Sequence, residues 1–469
     1  MYKIIRIDQE KIILGNTEDN SLKKMPLESG YEGAQVGDFV EIFSDESSTY
    51  IVKREVSSKP AFTISSESLK LDSVDVSGVI PSVMKFIEKI IDYSKEKQTY
   101  IYTAIYIGVL VTIVFITTML LNEQIATALS NALEASFLNE TFSISPLIVL
   151  GNALLGGIVI TMNDGGFLGG TEISMTFTIS LAILLFSLTT ISLSLYAVKR
   201  FILAQNPTIS SLEITTRLVG IAITGQMILG LFLAFYTQAM SEFISLKLNV
   251  IPLLFKGGLM VTLLAIMIGI GREANNKENN LTILTVFKQK LILFFTIGLI
   301  GALYSFMQTT WDSLMLAGNY SAWFIAQSFG VDITMSSSET STKLIDSIPN
   351  FTPMLVIMAI LILLVTIIDL DDIKQRFKDL SVLTFSLLYS AGLIVLIGFI
   401  NWFANASMSG SIFGVQQSMS MGINVFALII PYIVFVLASF LRLNFHDQLT
   451  FLDSVKEKYY QGMKLIKLM

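Results

Sequence analysis

The stretch PLIVLGNALLGGIVITMND, Pro146–Asp164, decides the membrane topology predicted for this chain, because its apolar part is almost long enough to be a span. A full crossing would place Lys199 and Arg200 outside and would invert every later connection against the positive-inside rule. The part that ends at Met162 has seventeen residues and includes Asn152 and three glycines. We therefore expect it to lie on or dip into the outer leaflet and return.

The composition is typical of a membrane protein. Of 469 residues, 53% are hydrophobic and 14% are charged, and the mean hydropathy is +0.67. A net charge of -6 argues against nucleic acid as a partner, since its binding needs clustered Lys and Arg. Cysteine is absent and His446 is the single histidine, which excludes thiol nucleophiles, disulfides and zinc-thiolate sites. The amino terminus lacks signal-peptide features, so the first apolar span is expected to be an uncleaved anchor.

Eight segments approach the length of a transmembrane helix. They are Ile101–Leu121, Met175–Val198, Leu218–Tyr236, Ile251–Ile270, Leu291–Met307, Met354–Ile368, Val382–Ile400 and Ile423–Leu441. The predicted fold is an α-helical polytopic membrane protein with these eight transmembrane helices in residues 99–442. Its structured outward loops are expected at residues 122–174, 308–353 and 401–422.

Basic residues fall in alternate connections between these segments. They are Arg200, Arg217, Arg272, Lys277, Lys288, Lys290, Lys374, Arg376, Lys378 and Arg442, whereas the opposite connections hold only Lys247 and Lys343. The positive-inside rule then places both termini in the cytoplasm, with the plasma membrane as the expected location. The composition, rich in Ile, Lys and Asn and free of Cys, favours a bacterial source of low GC content.

The pattern Gly-[Ile/Val]-x-x-[Thr/Ser]-Met occurs three times, each time in a connection predicted to lie outside the cell. Its defining residues are Gly157, Thr161 and Met162, then Gly330, Thr334 and Met335, and finally Gly414, Ser418 and Met419. The remaining outward connection, TQAMSEFISLKLNV, lacks the pattern.

Each copy of this motif predicts a short extracellular β element, because glycine permits a turn and the residues after it favour a strand. Backbone groups at this depth need partners, which favours one shared cap in which Ile158–Met162 pairs with Val331–Met335. Three independent loops of similar composition are the alternative. The comparable outer loops also favour an internal repeat, in which helices one and two correspond to helices five and six.

Residues 1–58 alternate in strand fashion and predict a small, cytoplasmic, all-β domain. The segment VGDFVEIF resembles a strand of S1-type or SH3-like barrels, which implies a barrel-like fold. Residues 1–56 contain seven basic and eleven acidic residues, a net charge of -4, so RNA binding is not expected. The domain is interpreted as a module for a cytoplasmic protein partner or for homo- or hetero-oligomer assembly, with a passive folding cap as the alternative.

Two amphipathic segments flank the spans. Residues 59–79 form a polar linker, and residues 80–98 place apolar side chains on one helical stripe opposite charged ones. This helix either lies on the inner surface of the lipid bilayer or packs beneath the bundle. Residues 443–469 are again amphipathic and basic, which is typical of a tail at the inner surface.

Polar groups within the spans are the candidates for a ligand site or a pathway. Lys256 would attract an anion or pair with Asp312, and snorkelling to the headgroups is the alternative. Gln226 follows Thr224 and Gly225, and this cluster would line a path or hold helices together.

Three aspartates, Asp369, Asp371 and Asp372, end the sixth predicted helix beside Lys374. Clustered carboxylates suit divalent cations, but a solvated charge run is the favoured interpretation, and no metal site is predicted. The sequence has no phosphate-binding loop, zinc-protease, serine-hydrolase or dinucleotide motif. Neither a cofactor nor an enzymatic activity is expected.

The repeated hairpins and the few intramembrane polar groups favour a transporter, a channel or a component of an export system, with unknown substrate. A non-transporting scaffold or signalling protein that links the outer cap to the inner β domain is the alternative, because the spans are too apolar for an evident hydrophilic route. A membrane enzyme is disfavoured by the missing catalytic constellations. A solvated cavity that reaches Gln226 or Lys256 would favour transport over the scaffold.

Overall fold

The computed structural model of the protein divides into two compact units, Met1–Ser66 and Glu67–Met469. The residues that it describes are 2–8, 11–16, 21–26, 34–44, 49–53, 79–132, 144–163, 174–180, 183–239, 244–270, 282–308, 316–337, 341–343, 348, 351–412, 415–445, 455–458 and 461.

The first unit contains an antiparallel sheet of five strands, in the order β3-β2-β1-β4-β5. Its strands are β1 (Tyr2–Ile7), β2 (Lys11–Asn16), β3 (Leu22–Pro26), β4 (Phe39–Ser44) and β5 (Thr49–Lys53). Alternate residues of a strand point to one face. The buried side chains of this face are Ile4, Ile12, Leu14, Met25, Val40 and Ile51.

The barrel-like closure predicted for this domain is wrong, because β3 and β5 are the two edges of an open sheet. A closed barrel requires its first and last strands to pair. Strand β3 instead exposes Lys23 and Lys24 and ends at Pro26, which are residues that protect a free edge from further pairing.

The second unit is predominantly helical. Its helices are α1 (Val79–Lys95), α2 (Lys97–Ala132), α3 (Pro146–Ala153), α4 (Leu184–Gln205), α5 (Ser211–Ala234), α6 (Val250–Pro252), α7 (Gly258–Gly269), α8 (Thr282–Gln308), α9 (Ala317–Gln327), α10 (Thr352–Ile367), α11 (Leu370–Lys374), α12 (Val382–Ala404) and α13 (Ile429–Asn444). A π-helical turn, Leu253–Gly257, joins α6 to α7, and a 3-10 turn, Val425–Leu428, leads into α13. Helix α1 packs on α5 where Ile90 faces Gly220, and it leaves Met84 and Ile87 exposed.

Within the described residues, eight helical segments are long and apolar enough to cross a membrane, which indicates a multi-pass membrane protein in a lipid bilayer. They are Lys97–Leu120, Leu184–Gln205, Ser211–Ala234, Val250–Gly269, Thr285–Met307, Thr352–Lys374, Val382–Ala404 and Val425–Asn444. The second span begins at Leu184 rather than at Met175. The residues SMTFTIS alternate hydroxyl and apolar side chains, and they form a strand instead.

The stretch that begins at Pro146 does not form a span. It makes the short buried helix α3 and then a strand that starts at Gly157. Between them, Leu155 has a φ of 63°, which is a left-handed conformation that is uncommon for leucine. Helix α9 is similarly short and buried, and its Asn319 side chain accepts from Leu184 N at 3.1 Å and donates to Ala404 O at 3.0 Å.

Four hairpins, one from each connection between paired spans, form an antiparallel sheet of eight strands at one end of the bundle. The strands are β6 (Gly157–Asn163), β7 (Ser174–Ser180), β8 (Thr237–Ala239), β9 (Ile244–Asn249), β10 (Ile333–Ser337), β11 (Ser341–Lys343), β12 (Ala406–Ile412) and β13 (Val415–Ile423). Their order is β11-β10-β13-β12-β7-β6-β9-β8. We call this end of the bundle the sheet end.

The described residues of the motif copies lie in this sheet or just before one of its strands, but the pairing predicted between the first two copies is wrong. Strand β6 pairs with β7 and β9, whereas β10 pairs with β11 and β13. A strand pairs most readily with its neighbour in the chain, so each hairpin closes first on itself. The strands of the second and third copies, β10 and β13, are adjacent. The outward connection that lacks the motif also contributes two strands, β8 and β9.

Alternation along the strands gives the sheet a hydroxyl-rich face and an apolar face. On the hydroxyl-rich face, Ser409 of β12 lies between Thr178 of β7 and Ser418 of β13. Ser336 and Ser420 are joined by a hydrogen bond of 2.8 Å between their hydroxyls. The apolar face joins the core of the helical unit, and its buried members include Ile158, Ile160, Leu246, Leu248 and Ile333.

The pairing of β7 with β12 predicts a disulfide in this cysteine-free chain. Thr178 and Ser409 are direct partners, so the double variant Thr178→Cys/Ser409→Cys should oxidise readily to an intramolecular disulfide. Thr178→Cys/Ser418→Cys is the matched control, because two strand spacings of ~10 Å exceed the reach of a disulfide. Non-reducing electrophoresis after mild oxidation measures both. Equal cross-linking in the two variants would contradict the strand order.

Candidate functional site

An open cavity of about 570 Å³ lies where the fourth span meets the sheet. Its polar lining comes from the fourth span, from the end of α12 and from the hydroxyl-rich face of the sheet. These polar residues are Lys256, Thr334, Asn405, Ser407, Ser420 and Asn424. The cavity therefore combines segments that lie up to about 170 residues apart in the chain.

The π-helical turn Leu253–Gly257 directs Lys256 into the cavity. Lys256 is only 9% exposed, while its neighbour Phe255 is 75% exposed on the outer surface of the helix. The ammonium donates to Asn405 O at 3.4 Å, and among the described residues no carboxylate pairs with it. Lys256 is thus buried in the wall of the cavity.

Asn405 supplies a second polar side chain at the cavity. Its side-chain Oδ1 is buried and accepts no hydrogen bond from the described residues. The carboxamide lies against Gly422, at the position that a Cβ atom would occupy. A larger residue at this position of β13 would therefore displace Asn405 from the cavity wall.

Apolar side chains form the rim of the cavity on the side of the spans. Ile251 is 70% exposed, Phe255 is 75% exposed and Trp402 is 41% exposed. These three residues belong to membrane-spanning segments, so their exposed surfaces are suited to lipid. The cavity thus has a polar wall on the sheet and an apolar opening between spans.

Gln226 lies behind the π-helical turn and does not line the cavity. Its Nε2 donates to Leu253 O, a carbonyl of the turn, at 2.6 Å, while Oε1 is buried and has no hydrogen-bond partner among the described residues. Gly257 lets the turn pack directly on Leu154 O, because a Cβ atom there would overlap that oxygen. The geometry favours helix packing over a pathway role for Gln226, which acts here by positioning the segment that carries Lys256.

The predicted motif residues occupy different positions in the sheet. Thr334 lines the cavity, whereas Ser418 and Met419 are exposed and Thr161 is half-buried. Gly330 has a φ of 81° in the turn before β10, a conformation that favours glycine, and Gly157 begins β6. Met162 and Met335 lie within β6 and β10.

Asp312 and Gly414 lie outside the described residues, as does the single histidine His446.

The three aspartates at the other end of the bundle each pair with a different basic residue. Lys290 Nζ lies 2.5 Å from Asp369, Arg442 lies 2.6 Å from Asp371, and Lys456 lies 2.8 Å from Asp372. Lys290 and Arg442 are almost inaccessible, so the interpretation as a solvated charge run is wrong for Asp369 and Asp371, whereas the side chain of Asp372 is 47% exposed. These pairs join helices α8, α11 and α13 to the C-terminal segment. Among the described residues, no three acidic or histidine side chains are placed to hold a metal.

Sequence reasoning missed most of the polar wall. Asn405, Ser407, Ser420 and Asn424 lie near the ends of predicted spans, where polar residues are common and carry no distinctive signal. Only the sheet brings them together beside Lys256. The available signal was the dense run of Ser and Asn between the seventh and eighth spans.

In the part of the chain that the structure describes, eight apolar helices with an eight-stranded sheet at one end indicate a multi-pass membrane protein with an amphipathic cavity beside the sheet. Comparison of the chain with protein-family models, with curated proteins and with solved structures finds no match.

The position of Gln226 predicts a loss of stability on substitution. Gln226→Leu should lower the free energy of unfolding by about 1 kcal/mol, because the side-chain hydrogen bond to Leu253 O would be lost. Titration with sodium dodecyl sulfate in mixed micelles measures this change. Met227→Leu, on the exposed side of the same helix, is the control and should have little effect. Equal losses in both variants would argue against the role assigned to Gln226.

Proposed function

We propose that this protein is a transport or export component that binds an anionic ligand in the cavity around Lys256. The observation that carries the proposal is a lysine that is buried within a spanning segment, faces a cavity and has no carboxylate partner among the described residues. Ionisable groups placed in this way are costly and usually functional.

The energetics of Lys256 support a bound anion. Removal of a cation from water costs several kcal/mol, and a single long contact with a carbonyl offsets little of that cost. Elsewhere in the same unit the buried cations Lys290 and Arg442 are each matched by an aspartate. A negatively charged ligand would match Lys256 in the same way.

The order of the strands and helices is repeated in the two halves of the helical unit. Strands follow the order β7-β6-β9-β8 in one half of the sheet and β11-β10-β13-β12 in the other, so each strand has a counterpart numbered four higher. The short helices α3 and α9 precede the corresponding strands β6 and β10, and Asn249 and Asn424 cap the fourth and eighth spans. We infer from this order an internal duplication of a four-span unit.

Under that duplication the cavity lies between the halves, with Lys256 from the first half and β10, β12 and β13 from the second. Substrate sites of transporters with repeats commonly lie at such interfaces. The second half has no lysine at the position that corresponds to Lys256. Lys256 lies seven residues after Asn249, which caps the fourth span, and the residue seven positions after Asn424 in the eighth span is Pro431.

A non-transporting scaffold is the second candidate. The buried ion pairs of Asp369 and Asp371, together with the packing of Gln226, favour a rigid bundle. Residues 1–58 are then a module for a cytoplasmic partner. This function needs neither an occupied cavity nor relative movement of the halves.

Binding is tested first, with Ser420→Cys as a reporter on the cavity wall of this cysteine-free protein. In neutral micelles, decyl phosphate at about ten times its Kd should slow modification by methyl methanethiosulfonate roughly tenfold, whereas neutral decyl maltoside should not. Lys256→Met should abolish the protection. Lys247→Met, which removes an exposed lysine of β9, should retain it. Protection that is unchanged in Lys256→Met, or absent throughout, would overturn the proposal.

Movement then separates the two candidates. Lys288 of α8 donates to Ile270 O at the end of the fourth span, so Ile270→Cys/Lys288→Cys joins the two halves at the end remote from the sheet and reports on that end by its rate of cross-linking with a short bifunctional methanethiosulfonate. A transporter should change this rate when decyl phosphate occupies the cavity, because the halves move around the site. A rate that stays constant while the cavity is protected would assign the protein to the scaffold class.

A further inference from the structure

We propose that the ligand of this cavity is a lipid with a phosphodiester headgroup that carries hydroxyl groups but no ammonium group, taken up sideways from the leaflet at the sheet end. This inference rests on the proposed function, and it names the class of substrate that the same site would accept.

The opening of the cavity selects for a molecule with an apolar part. Ile251, Phe255 and Trp402 form its rim within the spans, and each exposes a large apolar surface. A soluble anion would leave these surfaces without a matching partner. Acyl chains that remain in the bilayer would instead pass along Phe255 while the headgroup enters between the fourth span and the end of α12.

The charge of the lining selects the headgroup. Among the described residues, the lining contains one cation, Lys256, and no carboxylate. One phosphodiester, with its single negative charge, would neutralise this lysine. An ammonium group, as in choline or ethanolamine headgroups, would enter the same space without an anionic partner and beside a like charge.

The polar groups of the wall match the rest of such a headgroup. Asn405 Oδ1 is buried against Gly422, so the groups that a headgroup hydroxyl would meet directly are the exposed hydroxyl and amide groups of the wall. Ser407, Ser420 and Asn424 add exposed hydroxyl and amide groups on the same wall. A volume of about 570 Å³ holds a headgroup with the first carbons of its chains, so the rest of the lipid stays in the bilayer.

The test uses the full-length protein with the Ser420→Cys reporter in two kinds of nanodisc, one of dioleoyl phosphatidylcholine and one of equal parts phosphatidylcholine and phosphatidylglycerol. Phosphatidylglycerol should slow modification by the neutral reagent methyl methanethiosulfonate about tenfold at saturating occupancy. Ser418→Cys lies on the same face of β13 but outside the cavity lining, so it reports any general effect of membrane charge and should not respond.

Three substitutions identify the contacts. Lys256→Met should remove the protection by phosphatidylglycerol, and Lys256→Arg should retain it, which shows that loss follows charge and not misfolding. Phe255→Ser, at the exposed rim, should weaken protection by phosphatidylglycerol but not protection by soluble glycerol 3-phosphate.

The outcomes distinguish this inference from the proposed function. Protection by glycerol 3-phosphate or decyl phosphate but not by phosphatidylglycerol would overturn the lipid inference and leave an anion site in place. Equal protection in the two nanodiscs would overturn the selection for an anionic headgroup. If no anion protects Ser420→Cys in any of these media, both proposals fall together.

Discussion

The fold of the helical unit depends on the pairing of backbone groups at the sheet end of the bundle. Connections near an apolar phase cannot leave N–H and C=O groups without partners, and these four connections are too long to be simple turns. They meet the requirement by pooling hairpins into one sheet, with the three-residue strands β8 and β11 as its edges. Short edges leave little free backbone for pairing with other chains.

The same sheet creates the candidate site. Its central contact between β7 and β12 joins hairpins from the first and second halves of the spans, and β10, β12 and β13 then lie beside the fourth span. Consecutive residues of a helix point about 100° apart, so Lys256 enters the cavity while Phe255 faces outwards. The π-helical turn that carries both residues accepts a hydrogen bond from Gln226 at Leu253 O.

Sequence reasoning identified several of these elements and misjudged their relationships. Lys256 was evident as an ion within a span, because charge and hydropathy are local properties. The burial of its side chain depends on how the fourth span packs against the sheet, which no local pattern reveals. The ion pairs of Asp369 and Asp371 were missed for a related reason, since their partners Lys290 and Arg442 belong to distant helices.

By itself, the sequence determined the membrane class, the presence of eight spans and the β character of the connections at the sheet end. Hydropathy and alternation are written into short windows of residues, so these features need no knowledge of distant contacts. Only the tertiary structure decided that strand β6 pairs with β7 and β9 and not with β10, that the N-terminal sheet stays open, and that Lys256 faces a cavity. Strand order, closure and burial are set by long-range packing, and one local pattern is compatible with several such arrangements.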